Sequence, residues 1–560
     1  MGLAGVAKGL LGRLGDDSLR ALVAFGFQRT QGQLEAAARD PRAAQTARLL
    51  DIIGRQRDTV QGRALGLGSI TSLDALRARV PLSDWDSTAP LVERMVAGEA
   101  DVLVPGRPIY YATTSGTTGR RKLIPVTSEF VAECRVANRV LYRSMLLAMP
   151  GLIRGKRLGM RSPGSEKVSD IAEAGSITVA LGGGVDDDNL LDAVPTAVFG
   201  VRDFALRYRL ALRFALQERI TVASAINPST LHLYATTLAD AAEALARGLD
   251  DGGFGVDDGA LEGILDDGAR QGLRARLRSA PDVARRLRES ADRHGAPRMI
   301  DVFPMLQGLV TWKGGASSWW LERLRTSYGD LPILDYGYAA SEGCFGAPLS
   351  TDGADSVLLP HGHLVELLPE GETDPTRTVF LDEAEPGGRY EVIVTTSAGL
   401  VRYRMHDIVE ITGRFERAPL AVFRHKAGTM CSITGEKLGE AHVATALAAI
   451  GFAGPGIVLS PHYPEGGGTP GYRAVVEAGS VPDVDAFAAA LDRALQDANE
   501  EMQAKRGSQR LAPLVVETVP VGAFAAHRRR RVEQGAPDAH VKTPLLSVDG
   551  ALVASLRGSR

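Results

Sequence analysis

Thr113-Thr-Ser-Gly-Thr-Thr-Gly-Arg-Arg-Lys122 is the stretch on which the reading of this chain turns. Before it, Ile109-Tyr-Tyr-Ala-Thr113 is aromatic and β-branched, as a strand would be. After Val126, Thr127 and Ser128 can cap a helix that carries Phe130, Cys134, Ala137, Leu141 and Met145 on one face. The order is strand, loop, strand, helix. In the loop Thr114, Ser115, Thr117 and Thr118 can donate to phosphate oxygens, Gly116 and Gly119 let the backbone approach an anion, and Lys122 adds charge. It is not a Walker loop, because two residues separate its glycines and Lys122 lies three beyond the second. Alone, it would also suit a flexible surface loop, though less well.

Outward from the loop, helix and strand signals alternate. Residues 30–100 have helical spacing, with Ala44, Leu49, Leu50 and Ile53, a turn near Gly66 and Gly68, and a further helix from Ser72. Helices are expected over 202–248 and 257–292, interleaved with apolar runs such as Leu309-Val-Thr-Trp312 and Pro332-Ile-Leu334. Segments 389–397 and 400–411 read as a hairpin turning at Ala398-Gly399. From 426 a smaller unit begins, with helices near 439–450 and 483–504 and a Pro/Gly-rich loop over 461–471. The expected fold is α/β: a large N-terminal domain over 1–425, with β-sheets packed by helices, and a smaller, mobile α/β C-terminal domain over 426–560.

Composition narrows the function. At 560 residues, 44% hydrophobic and 23% charged, the chain is of globular type, which excludes disorder, collagen or coiled coil as the whole answer. Lysine and arginine total 64 against 67 acidic residues, so no global field would hold nucleic acid or an anionic membrane, and a small molecule is the expected partner. No apolar run approaches the roughly 18 residues of a membrane span. The N-terminus lacks the features of a secretory signal, and Val6 breaks the myristoylation pattern. Cys134, Cys344 and Cys431 lie too far apart for a disulfide framework or a zinc site, which suits the cytoplasm.

Further motifs give the loop company. Gly314-Gly315-Ala316 follows the run ending at Trp312. In Asp335-Tyr-Gly-Tyr-Ala-Ala-Ser-Glu-Gly343, Tyr338 offers a ring to stack on a base and Glu342 a carboxylate to hold Mg²⁺ near phosphates. Asp407, within Val401-Arg-Tyr-Arg-Met-His-Asp-Ile408, has two oxygens for the two ribose hydroxyls; alone it would suit a turn salt bridge to Arg404. Arg424-His-Lys-Ala-Gly428 and Gly435-Glu-Lys-Leu-Gly-Glu440 gather basic residues and glycines at the domain boundary, as a hinge would. Nine of the 64 basic residues are lysine, and four of those, Lys122, Lys426, Lys437 and Lys542, fall in motifs. A compact ammonium is not interchangeable with a guanidinium at a phosphate, so the lysines mark positions where arginine cannot serve.

In their order, TSGTTGxxK, GGA, YxxSEG, YRxxD, R…GEKLxE and GAxxxxVKTP, the motifs resemble those of the acyl acid amido synthetases, the auxin- and jasmonate-conjugating enzymes and their bacterial relatives within the acyl-adenylate-forming superfamily. The resemblance runs from about 40 to 546. It implies an ATP-dependent, two-step reaction: a small carboxylic acid attacks the α-phosphate of ATP to give acyl-AMP and pyrophosphate, and an amine, such as that of an amino acid, displaces AMP to form an amide. By this resemblance 1–425 binds ATP and the acyl substrate, and 426–560 is a lid. Thr114, Ser115, Gly116, Thr117, Thr118 and Gly119 would cradle phosphate beside a catalytic Lys122. Tyr338 would stack on adenine, with Gly315, Ala316, Ala339, Ser341 and Lys437 contacting the nucleotide. Glu342 would hold Mg²⁺, Asp407 the ribose, and Arg424 ribose and phosphate. Lys542 would reach the forming adenylate, where positive charge favours the transition state.

Two positions depart from the family pattern: His406 stands where plant members usually have glycine, and Leu545 where many have arginine, which puts one phosphate contact in doubt. No Pro-x-x-x-x-Gly-Lys lies near the C-terminus, which favours an amine over a thiol acceptor such as coenzyme A or a carrier protein. Lys122, Glu342, Asp407 and Lys542 are all present, against a non-catalytic nucleotide-binding relative. The Ala- and Arg-rich composition points to a GC-rich bacterial gene, so an auxin or jasmonate role is not carried over. No motif specifies an oligomeric state. The arginines at 528–531 read as a solvated helix face rather than a nucleic-acid patch. His361 and His363 would share a strand face but Glu366 would point away, so they do not read as a metal site. Asp186-Asp-Asp188 reads as a surface loop.

Overall fold

A computed structural model describes residues 14–113, 122–160, 166–169, 172–175, 191–201, 203–256, 261–314, 317–426, 431, 433, 436, 438–464, 469–507, 509, 511–534, 541–547 and 550–558. The chain divides into two compact units, Met1–Lys313 with Leu324–Met405 and Glu410–Val422, and Gly314–Arg323 with His406–Val409 and Phe423–Arg560.

In the first unit β1 (Tyr110–Thr113) and β2 (Leu123–Val126) pair antiparallel, Thr113 opposite Leu123. The hydroxyl-rich loop therefore joins two neighbouring strand ends, although residues 114–121 themselves lie outside the described residues. Helix α1 (Pro41–Gln56) precedes this pair and α2 (Ser128–Ala148) follows it. As the sequence predicts, Thr127 caps α2, its hydroxyl accepting from the Phe130 amide at 3.1 Å. Phe130, Cys134, Ala137 and Leu141 are buried along one face. With β3 (Lys156–Gly159), β4 (Glu166–Ser169) and β5 (Ala172–Gly175), two sheets take shape: β2-β1-β5-β4, and a parallel sheet that β3 begins.

That parallel sheet continues through β6 (Ile220–Ser224), β7 (Gly308–Val310) and β8 (Ile333–Leu334), in the order β3-β6-β7-β8. Parallel neighbours need crossover connections, here helices such as α3 (Phe204–Leu216) and α4 (Pro228–Asp240). The expected helix over 202–248 is thus cut by β6. Ile220-Thr-Val-Ala-Ser224 is buried throughout, and a short run buried on both faces does not reveal by its period whether it is strand or helix.

After the short β9 (Ala339–Ala340) and β10 (Gly343–Cys344), seven strands form the largest sheet: β11 (Gly346–Ala347), β12 (Ser356–Leu358), β13 (Leu364–Pro369), β14 (Val379–Phe380), β15 (Arg389–Thr395), β16 (Tyr403–Phe415) and β17 (Ala418–Lys426), ordered β11-β12-β17-β16-β15-β13-β14. The expected hairpin is β15–β16, but its second strand begins at Tyr403 rather than 400, because Gly399 (φ +82) and Arg402 (φ +46) bend the chain. Arg402 and Glu366 are each 1% exposed and form a two-pronged ion pair at 2.9 and 3.0 Å, which commits Glu366 to a structural role. Leu49, Ile52 and Ile53 of α1 pack on Leu364, Phe380 and Val401.

The second unit holds β18 (Ile457–His462), β19 (Gly471–Glu477) and β20 (Val515–Val519), with β18 antiparallel and β20 parallel to β19. Helices α5 (Glu440–Ala449) and α6 (Val484–Ala498) cover one core, among Leu447, Leu459, Ala474, Leu491, Leu495 and Leu546. The helix expected over 483–504 breaks at Asn499, whose side-chain oxygen accepts from the Met502 amide and starts a new helix, Glu500–Gly507. On the helix Ala523–Glu533, Arg529 and Arg530 are exposed while Arg528 is buried, so the arginine run is not a uniformly solvated face.

Candidate functional site

In the first unit the site is built on the turn that follows β8. Asp335 is buried; its Oδ1 accepts from the Gly337 amide and its Oδ2 from the Lys313 amide, both at 2.7 Å. One carboxylate thus fastens the turn to the chain leaving β7, and the Trp312 indole N–H donates to the Gly337 carbonyl at 3.0 Å. Gly337 has φ +92, and a Cβ there would lie 2.5 Å from the Gly346 oxygen, so the position requires glycine. Burial drives the Asp335 carboxyl up to about 6, against the two amide hydrogen bonds, which lower it.

Tyr338, next along, is mostly buried, with its ring 5.5 Å from that of Phe345. Ala339 and Ala340 pair with Cys344 and Gly343, which leaves Ser341 and Glu342 at the tip of a tight hairpin. The Ser341 hydroxyl donates to the Thr113 carbonyl at 3.1 Å, tying the tip to the mouth of the hydroxyl-rich loop. On the other side of that loop the Lys122 ammonium donates to the Tyr403 hydroxyl at 3.1 Å and lies 5.8 Å from the ring centres of Trp85 and Tyr403. Three motifs distant in sequence, the loop, the YxxSEG turn and the tyrosine of YRxxD, therefore meet.

Beneath the hairpin lies a buried polar cluster that sequence reasoning missed as a cluster. The Glu133 carboxylate, from α2, stands 2.9 Å from Nδ1 of His363 and accepts from the Ser397 hydroxyl at 2.6 Å and amide at 3.1 Å; Arg48 of α1 also pairs with it. Nε2 of His363 accepts from the Cys344 amide at 3.2 Å. Burial pushes the Glu133 carboxyl up, but the bonds to His363 and Ser397 and the charge of Arg48 outweigh it and hold it below the usual range. His361 is pushed down to about 4 by burial and by Arg48. His361, His363 and Glu366 do not form a metal site: Glu366 holds Arg402, and among the described residues no group of three His, Cys, Asp or Glu side chains could hold a metal ion.

In the second unit Asp407 is buried on β16, directly after His406, whose φ is +55. The guanidinium of Arg404 forks onto Glu391. Arg424 lies on β17, the neighbour of β16. Lys542 is exposed, three residues before a segment fixed to the β18 edge: the Leu459 amide donates to the Leu545 carbonyl and the Ser547 amide to the Leu459 carbonyl, each at 2.8 Å. The Leu545 amide donates to the Glu440 carboxylate at 2.7 Å, and the Leu545 side chain is in the core. A buried position suits leucine, so this departure from the family pattern is explained by packing. Glu436, fully buried, accepts from the Tyr472 hydroxyl and the Ile433 amide. Thr114, Ser115, Gly116, Thr117, Thr118, Gly119, Gly315, Ala316 and Lys437 lie outside the described residues.

Known proteins share this fold. Residues 30–333 match the GH3 family N-terminal domain, 356–426 the GH3 family central domain and 460–551 the GH3 family C-terminal domain. The indole-3-acetic acid-amido synthetase GH3.8 of Oryza sativa subsp. indica is 26% identical over 426 residues, 72% of this chain and 69% of that protein. The indole-3-acetic acid-amido synthetase GH3.3 of Arabidopsis thaliana is 23% identical over 543 residues, 91% and 90% of the two chains. The solved GH3.15 acyl acid amido synthetase has the same fold, with a TM-score of 0.81 at 20% identity over 96% of each chain. A 2-hydroxyisobutyryl-CoA ligase in its postadenylation state gives 0.50 at 12% identity over 92% of each. With matched domains in the family's order along most of its length, and a fold shared with a solved member, this chain belongs to the GH3 family.

Proposed function

We propose that the chain is an ATP-dependent ligase that adenylates a small carboxylic acid and passes the acyl group to an amine, as an amino acid would offer, releasing AMP and pyrophosphate. The observation that carries this reading is the meeting of three motifs in the first unit: Ser341 on Thr113, and Lys122 on Tyr403, at either end of the hydroxyl-rich loop. An adenylating enzyme needs this grouping, because hydroxyls, amides and an ammonium must face the triphosphate while a carboxylate stands near it. The names of the relatives, acyl acid and indole-3-acetic acid amido synthetases, support the same chemistry.

In this reading the loop from Thr114 to Gly119 and Lys122 hold phosphate, Tyr338 packs on adenine beside Gly315, Ala316, Ala339 and Ser341, and Asp407, Arg424 and Lys437 hold the rest of the nucleotide. Glu342 fits a Mg²⁺ site: it is a single carboxylate on an anchored turn beside the phosphate loop, and Mg²⁺ characteristically takes one or two carboxylates and completes its shell with phosphates and water. When bound, the ion neutralises phosphate charge. Lys542 stabilises charge developing on the α-phosphate, carried there by a lid over 426–560 that turns about the 424–428 region. We place the enzyme in the cytoplasm of a bacterium, in keeping with three free, buried thiols; among the described residues no helix is long and apolar enough to cross a membrane. The test is acid-dependent exchange of labelled pyrophosphate into ATP in the presence of Mg²⁺. Exchange with at least one acid of a broad panel is expected; nucleotide binding without exchange for any acid would contradict the reading.

A further inference from the structure

Glu342 sits at the tip of a hairpin with only two residues in each strand, too short to be rigid by itself. One end of the tip is fixed by the Ser341 hydroxyl on the Thr113 carbonyl. The other end leads into Cys344, whose amide donates not to backbone but to Nε2 of His363, at 3.2 Å. Because Nε2 accepts, the proton of the neutral ring resides on Nδ1, and Nδ1 faces the Glu133 carboxylate at 2.9 Å. Glu133 is itself fixed by the Ser397 hydroxyl and amide and by Arg48. His363 is fully buried, its ring 5.1 Å from that of Phe345 and 5.5 Å from that of Phe130, so it has little freedom to turn. A Cβ at Gly343 would come within 2.6 Å of the Phe345 ring and 2.9 Å of Nε2, so the glycine of the SEG motif lets both rings approach this strand.

We propose that His363, oriented by Glu133, is a positioning residue for Glu342, holding the carboxylate-bearing turn at the place where a Mg²⁺–nucleotide is received. The proposal rests on the reading of Glu342 given above, and it assigns a role to two residues that no recognised motif contains. It does not make either residue catalytic: neither is placed against substrate, and both act through the Cys344 amide. Removing a group that orients a metal ligand commonly costs 10- to 100-fold in metal affinity.

Two substitutions separate this role from general stability. In His363→Gln the side-chain oxygen can take the place of Nε2 and accept from the Cys344 amide. In His363→Asn the amide nitrogen can take the place of Nδ1 and face Glu133, but nothing reaches Cys344. Calorimetric binding of α,β-methylene-ATP to the full chain, with and without Mg²⁺, reads the effect without turnover. The expected result is that His363→Asn weakens the Mg²⁺-dependent part of binding by about 10-fold or more while Mg²⁺-free binding stays near wild type, and that His363→Gln restores the Mg²⁺ dependence to within a few fold. Cys344 amide exchange should quicken in the Asn variant and not in the Gln variant. The proposal is overturned if both variants bind as wild type, if Gln is as damaged as Asn, or if Asn loses Mg²⁺-free binding to the same extent. Wild-type binding indifferent to Mg²⁺ would instead overturn the role of Glu342, and this proposal with it.

Discussion

At His406 the backbone takes φ +55, a conformation that costs an L side chain of order 1–2 kcal/mol and a glycine almost nothing. This gives a physical basis for a preference for glycine at this position. His406→Gly is expected to leave the urea midpoint unchanged or raise it, whereas His406→Val should lower stability by about 1–2 kcal/mol, since β-branched residues fit that region worst. Equal midpoints for the two variants would contradict the backbone argument. Asp335 gives a pH signature. Burial raises its carboxyl from the ordinary range to about 6, so between about 4 and 6 the folded chain binds the proton more tightly than the unfolded one. Its contribution is greatest below that window and is lost as pH rises through 6. Wild-type stability should therefore fall between pH 4 and pH 7 by about 1–3 kcal/mol more than that of Asp335→Asn, which does not titrate, as judged by denaturant unfolding at both pH values. A flat difference would contradict the burial.

At the scale of elements, the β9–β10 hairpin gives Glu342 its place. Glu342→Gln removes charge without bulk, so Mg²⁺-dependent nucleotide binding should weaken by about 10-fold or more while Mg²⁺-free binding is spared; equal loss of both would show a structural role. The elements around the first motif were legible because each carried local punctuation: a β-branched run, glycines, and Thr127 as a cap before an amphipathic face. Strand β6 was not, since Ile220-Thr-Val-Ala-Ser224 is buried on both faces and its two polar residues, Thr221 and Ser224, fall on opposite faces and so show no period of two. The break at Asn499 was hidden because asparagine is tolerable within a helix and decisive only as a cap. Strand spacing did not apply to His361 and His363, which precede the start of β13 at Leu364, and the ion pair with Arg402 is what commits Glu366 elsewhere. Spacing was silent on Glu133, which reaches His363 from a helix far back in the chain.

At the scale of the whole molecule, the order of motifs identified the family, and the fold agrees with a solved member over nearly the full length. What motif order does not carry is how the chain presents Lys542. It is exposed and close to a segment held on the β18 edge by backbone bonds and by Glu440, so the C-terminal unit presents it on a firm base. Lys542→Ala should slow adenylation by about 10²–10³, the usual cost of losing one transition-state donor, and spare amide formation from acyl-AMP supplied ready-made. Single-turnover assays of the two steps would show it, and equal loss in both from a folded variant would contradict it. The central claim is the joining of an acid to an amine at the expense of ATP. It is tested most directly by incubating the enzyme with Mg²⁺, ATP and a matrix of carboxylic acids and amino acids, and reading products by mass. The account predicts, for at least one pair, a product equal to acid plus amine less water, formed with one AMP for each amide. AMP released only when a thiol is supplied, with no such product for any pair, would contradict it.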